Sequence, residues 1–205
     1  QFQKNDDIFN NQYFINTEAS YQFENSDNPT FSTSGMKTEL KVGYTSNLSD
    51  SDSFGYLIPS ISFHQKVTSN GKLVFATMLK SHFTFGSGYQ FYQAASIGGN
   101  NDGLRGYRNQ RFTGKNMFYH SSDIRLNLRK IKTSLIPINI GVYGGFDYGR
   151  VWGGQNLIIN PVQKDWNISY GGGFFFDIAN IIGAKIAAFH SDDGTRIAVG
   201  LGFKY

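Results

Sequence analysis

Apolar side chains recur at every second position over most of this chain, the period of an extended strand whose successive side chains point to opposite faces. The clearest run is Arg196 to Tyr205, where Ile197, Val199, Leu201, Phe203 and Tyr205 share one face and Arg196, Ala198, Gly200, Gly202 and Lys204 the other. Near the start, Tyr13, Ile15, Thr17, Ala19, Tyr21 and Phe23 oppose Asn16, Glu18, Ser20 and Gln22. Met36, Thr38, Leu40, Val42 and Tyr44 then oppose Lys37, Glu39, Lys41 and Gly43. Leu57, Pro59, Ile61, Phe63 and Val67 oppose Ser60, Ser62, His64 and Lys66, and Asn70-Gly71 offers the positive φ angles of a tight hairpin turn. Leu73, Phe75, Thr77, Leu79 and Phe83 follow against Ala76, Met78, Lys80 and His82.

The second half repeats the pattern. Phe118, Ile124, Leu126 and Leu128 oppose Asp123, Arg125, Asn127 and Arg129; Ile138, Ile140, Val142, Gly144, Phe146 and Tyr148 oppose Asn139, Gly141, Tyr143, Gly145, Asp147 and Gly149. Ile168, Tyr170, Gly172, Phe174 and Phe176 mark a further strand, Gly183 to His190 another, and the terminal run makes nine. Lysines keep to the polar face throughout. An outward Lys or Arg at the bilayer midplane costs about 2–4 kcal/mol, so this segregation fits an apolar face that meets lipid.

Composition sharpens that reading. The 205 residues include 24 Gly, 19 Phe and 12 Tyr but no Cys, and the mean hydropathy is −0.34. No run approaches the ~20 consecutive apolar residues of a membrane helix, whereas a barrel needs lipid-compatible side chains only at alternate positions. Without Cys there is no disulfide framework or thiolate metal site. The net charge of +4 comes from Lys and Arg spread singly along strands, a mildly basic lumen and rim and not a nucleic-acid surface. The expected fold is therefore an all-β, antiparallel transmembrane barrel over residues 13–205, after a lead-in or linker at residues 1–12.

Connections alternate between shorter ones (24–30, 68–72, 130–134, 177–182) and mostly longer ones (46–55, 86–116, 150–165, 191–195). Short turns on the periplasmic side and long loops outside would place the C-terminus in the periplasm. Loop 86–116 stands apart by its length, and Tyr89, Phe91, Tyr92, Ile97, Leu104, Tyr107 and Phe112 give it enough apolar surface to fold. The barrel lumen is the cavity expected to receive it. Nine strands and an inserted loop do not suit a closed barrel of eight, whose interior side chains already fill. The expectation is a barrel of about sixteen strands, completed by a preceding segment or a second chain.

Ile97-Gly98-Gly99, then Leu104-Arg105-Gly106-Tyr107, Gly145-Phe146-Asp147-Tyr148-Gly149-Arg150-Val151-Trp152 and the aromatic terminal strand together resemble the C-terminal half of the BamA-type outer-membrane assembly and translocation barrels. That superfamily, which includes the bacterial surface antigen family, BamA, TamA and FhaC, also contains fusions that anchor a patatin-like lipase or a metallophosphoesterase. The resemblance spans about Met36 to Tyr205. It implies that Arg105, at the tip of the long loop, pairs with Asp147 inside the barrel, with Gly106 allowing close backbone approach or a positive φ and Tyr107 stacking on the lumen wall. Phe146 and Gly149 complete the strand motif. Val199, Leu201, Phe203 and Tyr205 resemble the signal read by the outer-membrane assembly machinery.

Enzyme chemistry has no foothold in these residues. Glu occurs only at positions 18, 24 and 39, and His64, His82, His120 and His190 show no metal-binding spacing. No nucleophile elbow or phosphate-binding loop is present, because the glycine-dense stretches lie inside alternating strands. His64 and His82 read as hydrated lumen histidines. No catalytic residue, metal or cofactor is expected. The location expected is the bacterial outer membrane, with its lipid, the assembly machinery and an unfolded outer-membrane or secreted protein as partners. The function implied is inserting or conducting proteins, the alternative being a passive anchor for an upstream hydrolase.

Overall fold

The computed structural model describes residues 12–28, 31–49, 52–86, 88–99, 103–132, 137–153, 166–178 and 181–201. Nine strands form one antiparallel sheet in chain order: β1 (Phe14–Glu24), β2 (Gly35–Asn47), β3 (Ser53–Lys66), β4 (Leu73–Gly86), β7 (Asn116–Lys132), β8 (Pro137–Trp152), β9 (Asn167–Ile178), β10 (Ile182–Ser191) and β11 (Gly194–Leu201). Two short strands, β5 (Ala95–Ile97) and β6 (Phe112–Gly114), pair with each other inside the β4–β7 connection. The sheet is open, with β1 and β11 as its edges.

Burial follows the alternation. Ile15, Tyr21, Val42, Tyr44, Phe63, Ile124, Phe146, Ile168, Phe174, Ile186, Ile197, Val199 and Leu201 are exposed on one face. Thr45, Tyr56, Ser62, Ala76, Tyr119, Asp123, Arg125, Tyr143, Asp147, Ser169, Phe175 and Phe189 are buried on the other. So many exposed large apolar side chains on a single face make a surface for lipid, not water. Phe203 and Tyr205 lie outside the described residues, as does the segment 1–11.

The sheet curls, and the buried face is its concave side. Phe31, in the connection between β1 and β2, stacks its ring on Phe175 of β9 with centroids 4.5 Å apart, across an interval of several strands. Phe31, Tyr143, Phe175, Ala187 and Phe189 form one buried cluster. The expected lengths of the connections need correction here. Residues 25–34 join β1 to β2, a longer link than residues 48–52 between β2 and β3, so the short-long alternation begins only after β3, and it stops at β10, where residues 192–193 make a shorter link to β11 than residues 179–181 make between β9 and β10. The reason is that residues 25–28 and 31–34 fold inward: Asp27 accepts from the Thr33 and Ser34 amides at 2.8 and 3.1 Å, and this turn aims Phe31 into the concavity.

Strict alternation also fails at one place. A β-bulge between Asn127 and Arg129 shifts the register of β7, so Arg129 pairs with Ile140, a position of the apolar face. The side chain of Arg129 lies outside the described residues. His64 pairs opposite Ala76 in β4, six residues from His82, which is about 20 Å at the rise of a strand. The register therefore keeps those two histidines apart.

Candidate functional site

Between β4 and β7, which pair directly, the chain makes a long excursion across the concave face. Its apolar residues pack first. Ala95, Ile97, Leu104, Tyr107 and Phe112 of the excursion bury themselves against Met117 and Tyr119 of β7 and Val151 of β8. Tyr107 is 1% exposed and meets Phe112 edge to face, ring centroids 5.0 Å apart. The ring of Tyr107 thus stacks within the excursion and packs on β7 and β8. A turn closed by the Tyr107 amide donating to the Leu104 carbonyl at 3.0 Å places Arg105 at the tip. Leu104 has φ of 49°, a left-handed conformation that non-glycine residues adopt only when their surroundings hold them there.

Arg105 reaches into a buried set of charges. Its Nη2 donates to Asp147 Oδ1 at 2.6 Å, its Nε to Oδ2 at 3.0 Å, and its backbone amide to Oδ2 at 2.9 Å. The other arm, Nη1, donates to Asp123 Oδ1 at 2.7 Å, so one guanidinium is divided between two carboxylates on neighbouring strands. Asp147 also accepts from the hydroxyls of Ser121 and Ser169, at 2.5 and 2.8 Å. Arg125 donates to Asp123 Oδ2 at 3.4 Å. The four charges sum to zero, which is the condition for burying them; Asp147 and Arg125 are fully buried and Asp123 is 1% exposed. Phe189 of β10 roofs the set, its ring centroid 4.2 Å from the Arg105 guanidinium carbon.

Glycines make room for this arrangement. A Cβ on Gly106 would lie 2.8 Å from Ser169 Cβ and 2.9 Å from the His190 carbonyl, so close approach, not backbone conformation, demands glycine there. Ser191 Oγ donates to the Gly106 carbonyl at 2.8 Å and ties the tip to the end of β10. At Gly145 a Cβ would collide with the Arg105 guanidinium and the Asp123 carboxylate. Gly149 faces Tyr119 and Ile97 in the same way, while Phe146 points outward. At the base of the excursion Arg111 grips Asp193, in the turn between β10 and β11, through Nε at 2.5 Å and Nη2 at 3.1 Å. Those hydrogen bonds, opposed by slight desolvation, hold the Asp193 carboxyl below its usual range.

The sequence reading placed Arg105, Gly106, Tyr107 and Asp147 in one group, and the structure brings these four within one turn or one hydrogen bond of each other. Val199 and Leu201 lie elsewhere, exposed on the apolar face of β11. Asp123, Arg125, Ser121, Ser169 and Phe189 were missed as members of the site. A signal existed for the first two: opposite charges two residues apart share a strand face, here the polar one.

The family described as haemolysin secretion/activation protein ShlB/FhaC/HecB matches residues 14–162 of the chain. No curated protein matches it. Among solved structures, a crystal structure of BamA from Haemophilus ducreyi lacking POTRA domains 1-3 is similar in fold, with a TM-score of 0.61 and 15% sequence identity. The similarity covers 91% of this chain and 42% of the BamA chain, so this chain spans less than half the length of that relative.

Proposed function

Because the chain belongs to the haemolysin secretion/activation family ShlB/FhaC/HecB, whose members are bacterial outer-membrane β-barrels of the protein translocation and assembly superfamily, we propose that it forms part of a barrel that conducts unfolded polypeptide across the outer membrane. The observation that carries the reading is the long excursion lying on the concave face, its tip held by an internally neutral cluster of two arginines and two carboxylates. Such a plug keeps the lumen closed to small solutes. An extended chain in transit would take its place, or move it aside, by competing for the same wall.

The excursion has its own two-stranded sheet, while its apolar side chains share a core with Met117, Tyr119 and Val151 of the wall, so displacing it means parting that core as well as the ionic cluster. The ionic cluster sets its resting position. Strands β7 and β8 supply the carboxylates and β10 the roof, so release of Arg105 loosens the hold of three strands on the tip together.

The test pairs planar-bilayer conductance with the protein content of the medium around cells carrying wild type, Arg105→Ala or a deletion of the gene. Wild type should show a mostly closed channel, Arg105→Ala frequent openings. At least one secreted protein should disappear from the medium in the deletion and fall several-fold with Arg105→Ala. Unchanged secretion in both, with the barrel still in the membrane, would refute conduction and favour an anchoring role.

A further inference from the structure

Outside the concave site, on the lipid-facing side, a cleft of about 460 Å³ opens near the long-connector ends of β4, β7 and β8. Ser81, Phe83, Phe118, Arg150, Trp152 and Trp166 line it. Arg150 is out of place on this face, where its neighbours along β8 are Phe146 and Tyr148 on one side and Trp152 on the other. It stands two residues from the end of the strand, at the depth where a barrel's aromatic girdle meets the headgroups.

Among the described residues the cation has no counter-charge. Its guanidinium carbon lies 5.4 Å from the ring centroids of both Trp152 and Trp166, so two indole faces support it. Its Nε is buried and has no hydrogen-bond partner among the described residues, and no ion pair reaches it there. A buried donor left unpaired beside an open cleft is the mark of a site for an external acceptor.

We propose that this cleft binds the phosphate of an outer-leaflet lipid, namely a phosphate of lipid A. The planar fork of arginine matches phosphate oxygens in a way a lysine does not, and the surrounding rings suit the sugar and the first methylenes of its acyl chains. A cleft of this volume admits a phosphorylated sugar and not the whole lipid, so the acyl chains remain in the bilayer beside Phe83 and Phe118. Long connectors mark the outer end of such barrels, which puts the cleft in the leaflet that carries lipid A. An anionic lipid fixed here would brace β4, β7 and β8, the strands that flank the excursion on the other face.

Trp152 and Trp166 are the two tryptophans of the chain, so tryptophan emission reads the cleft directly. The protein in neutral detergent micelles is titrated with lipid A, with dephosphorylated lipid A and with inorganic phosphate. Lipid A should give a saturable change in emission, and the other two none at the same concentrations. Arg150→Gln should weaken lipid A binding at least tenfold, and Arg150→Lys by less. An equal response of the wild type to dephosphorylated lipid A overturns the proposal, and this comparison needs no variant to fold. Equal affinity in Arg150→Gln overturns it too, as does saturation by inorganic phosphate in the lipid's concentration range, which would make the cleft a plain anion site.

Discussion

Removing Arg105 and Asp147 singly and together measures how strongly the tip is held. In Arg105→Ala the fully buried Asp147 carboxylate loses the guanidinium but keeps the backbone amide of residue 105 and the hydroxyls of Ser121 and Ser169. Leaving one charge of a buried pair behind costs about 3–5 kcal/mol, and the three remaining donors put the expected loss near the lower limit, about 3 kcal/mol. Asp147→Ala strands Arg105 instead, which keeps Asp123 at 2.7 Å, so a similar loss follows. The double variant leaves neither charge unpaired and retains the Asp123–Arg125 pair, so its loss should fall short of the sum by about 1.5–3 kcal/mol. The assay is urea unfolding of the protein in lipid vesicles, followed by tryptophan emission, with each variant's membrane insertion checked first. Losses that add to within about 0.5 kcal/mol would refute an energetically coupled lock and leave only two residues that happen to lie close together.

Gly106→Val should displace the tip, because its new side chain would meet Ser169, Ser191 and the His190 carbonyl; raised channel conductance at unchanged barrel level in the membrane checks it. The Arg111–Asp193 latch should weaken in acid. Because the folded state holds the Asp193 carboxyl below its ordinary value of 3.8, the stability this pair adds is present above that value and is lost as pH falls through the lower, folded-state pKa. The pair is partly exposed, so the effect is at most about 1 kcal/mol; lower amide protection factors, taken against the intrinsic exchange rate at each pH, over residues 103–115 at low pH, and in Asp193→Asn at neutral pH, would show it.

Features that depend on local period and local chemistry were legible in the residues before any fold was known. Lipid meets every second side chain of a strand, so Ile124, Phe146 and Ile197 could be assigned to one face and Asp123, Arg125 and Asp147 to the other before any pairing was known. Loop length and apolar content likewise marked residues 86–116 as a folded insertion, and the resemblance named Arg105 and Asp147. The bulge at Asn127 was not legible, since one extra residue leaves no trace in composition and reverses the faces beyond it. Nor was the inward position of Phe31, because the contact that rewards it, Phe31 on Phe175, joins positions 144 residues apart. The division of Arg105 between two carboxylates was decided in the same way. Asp123 and Asp147 become neighbours only when β7 and β8 pair in the observed register, with Asp123 opposite Gly145 and Ser121 opposite Asp147. A guanidinium can bridge them only because the side chain missing at Gly145 leaves the space.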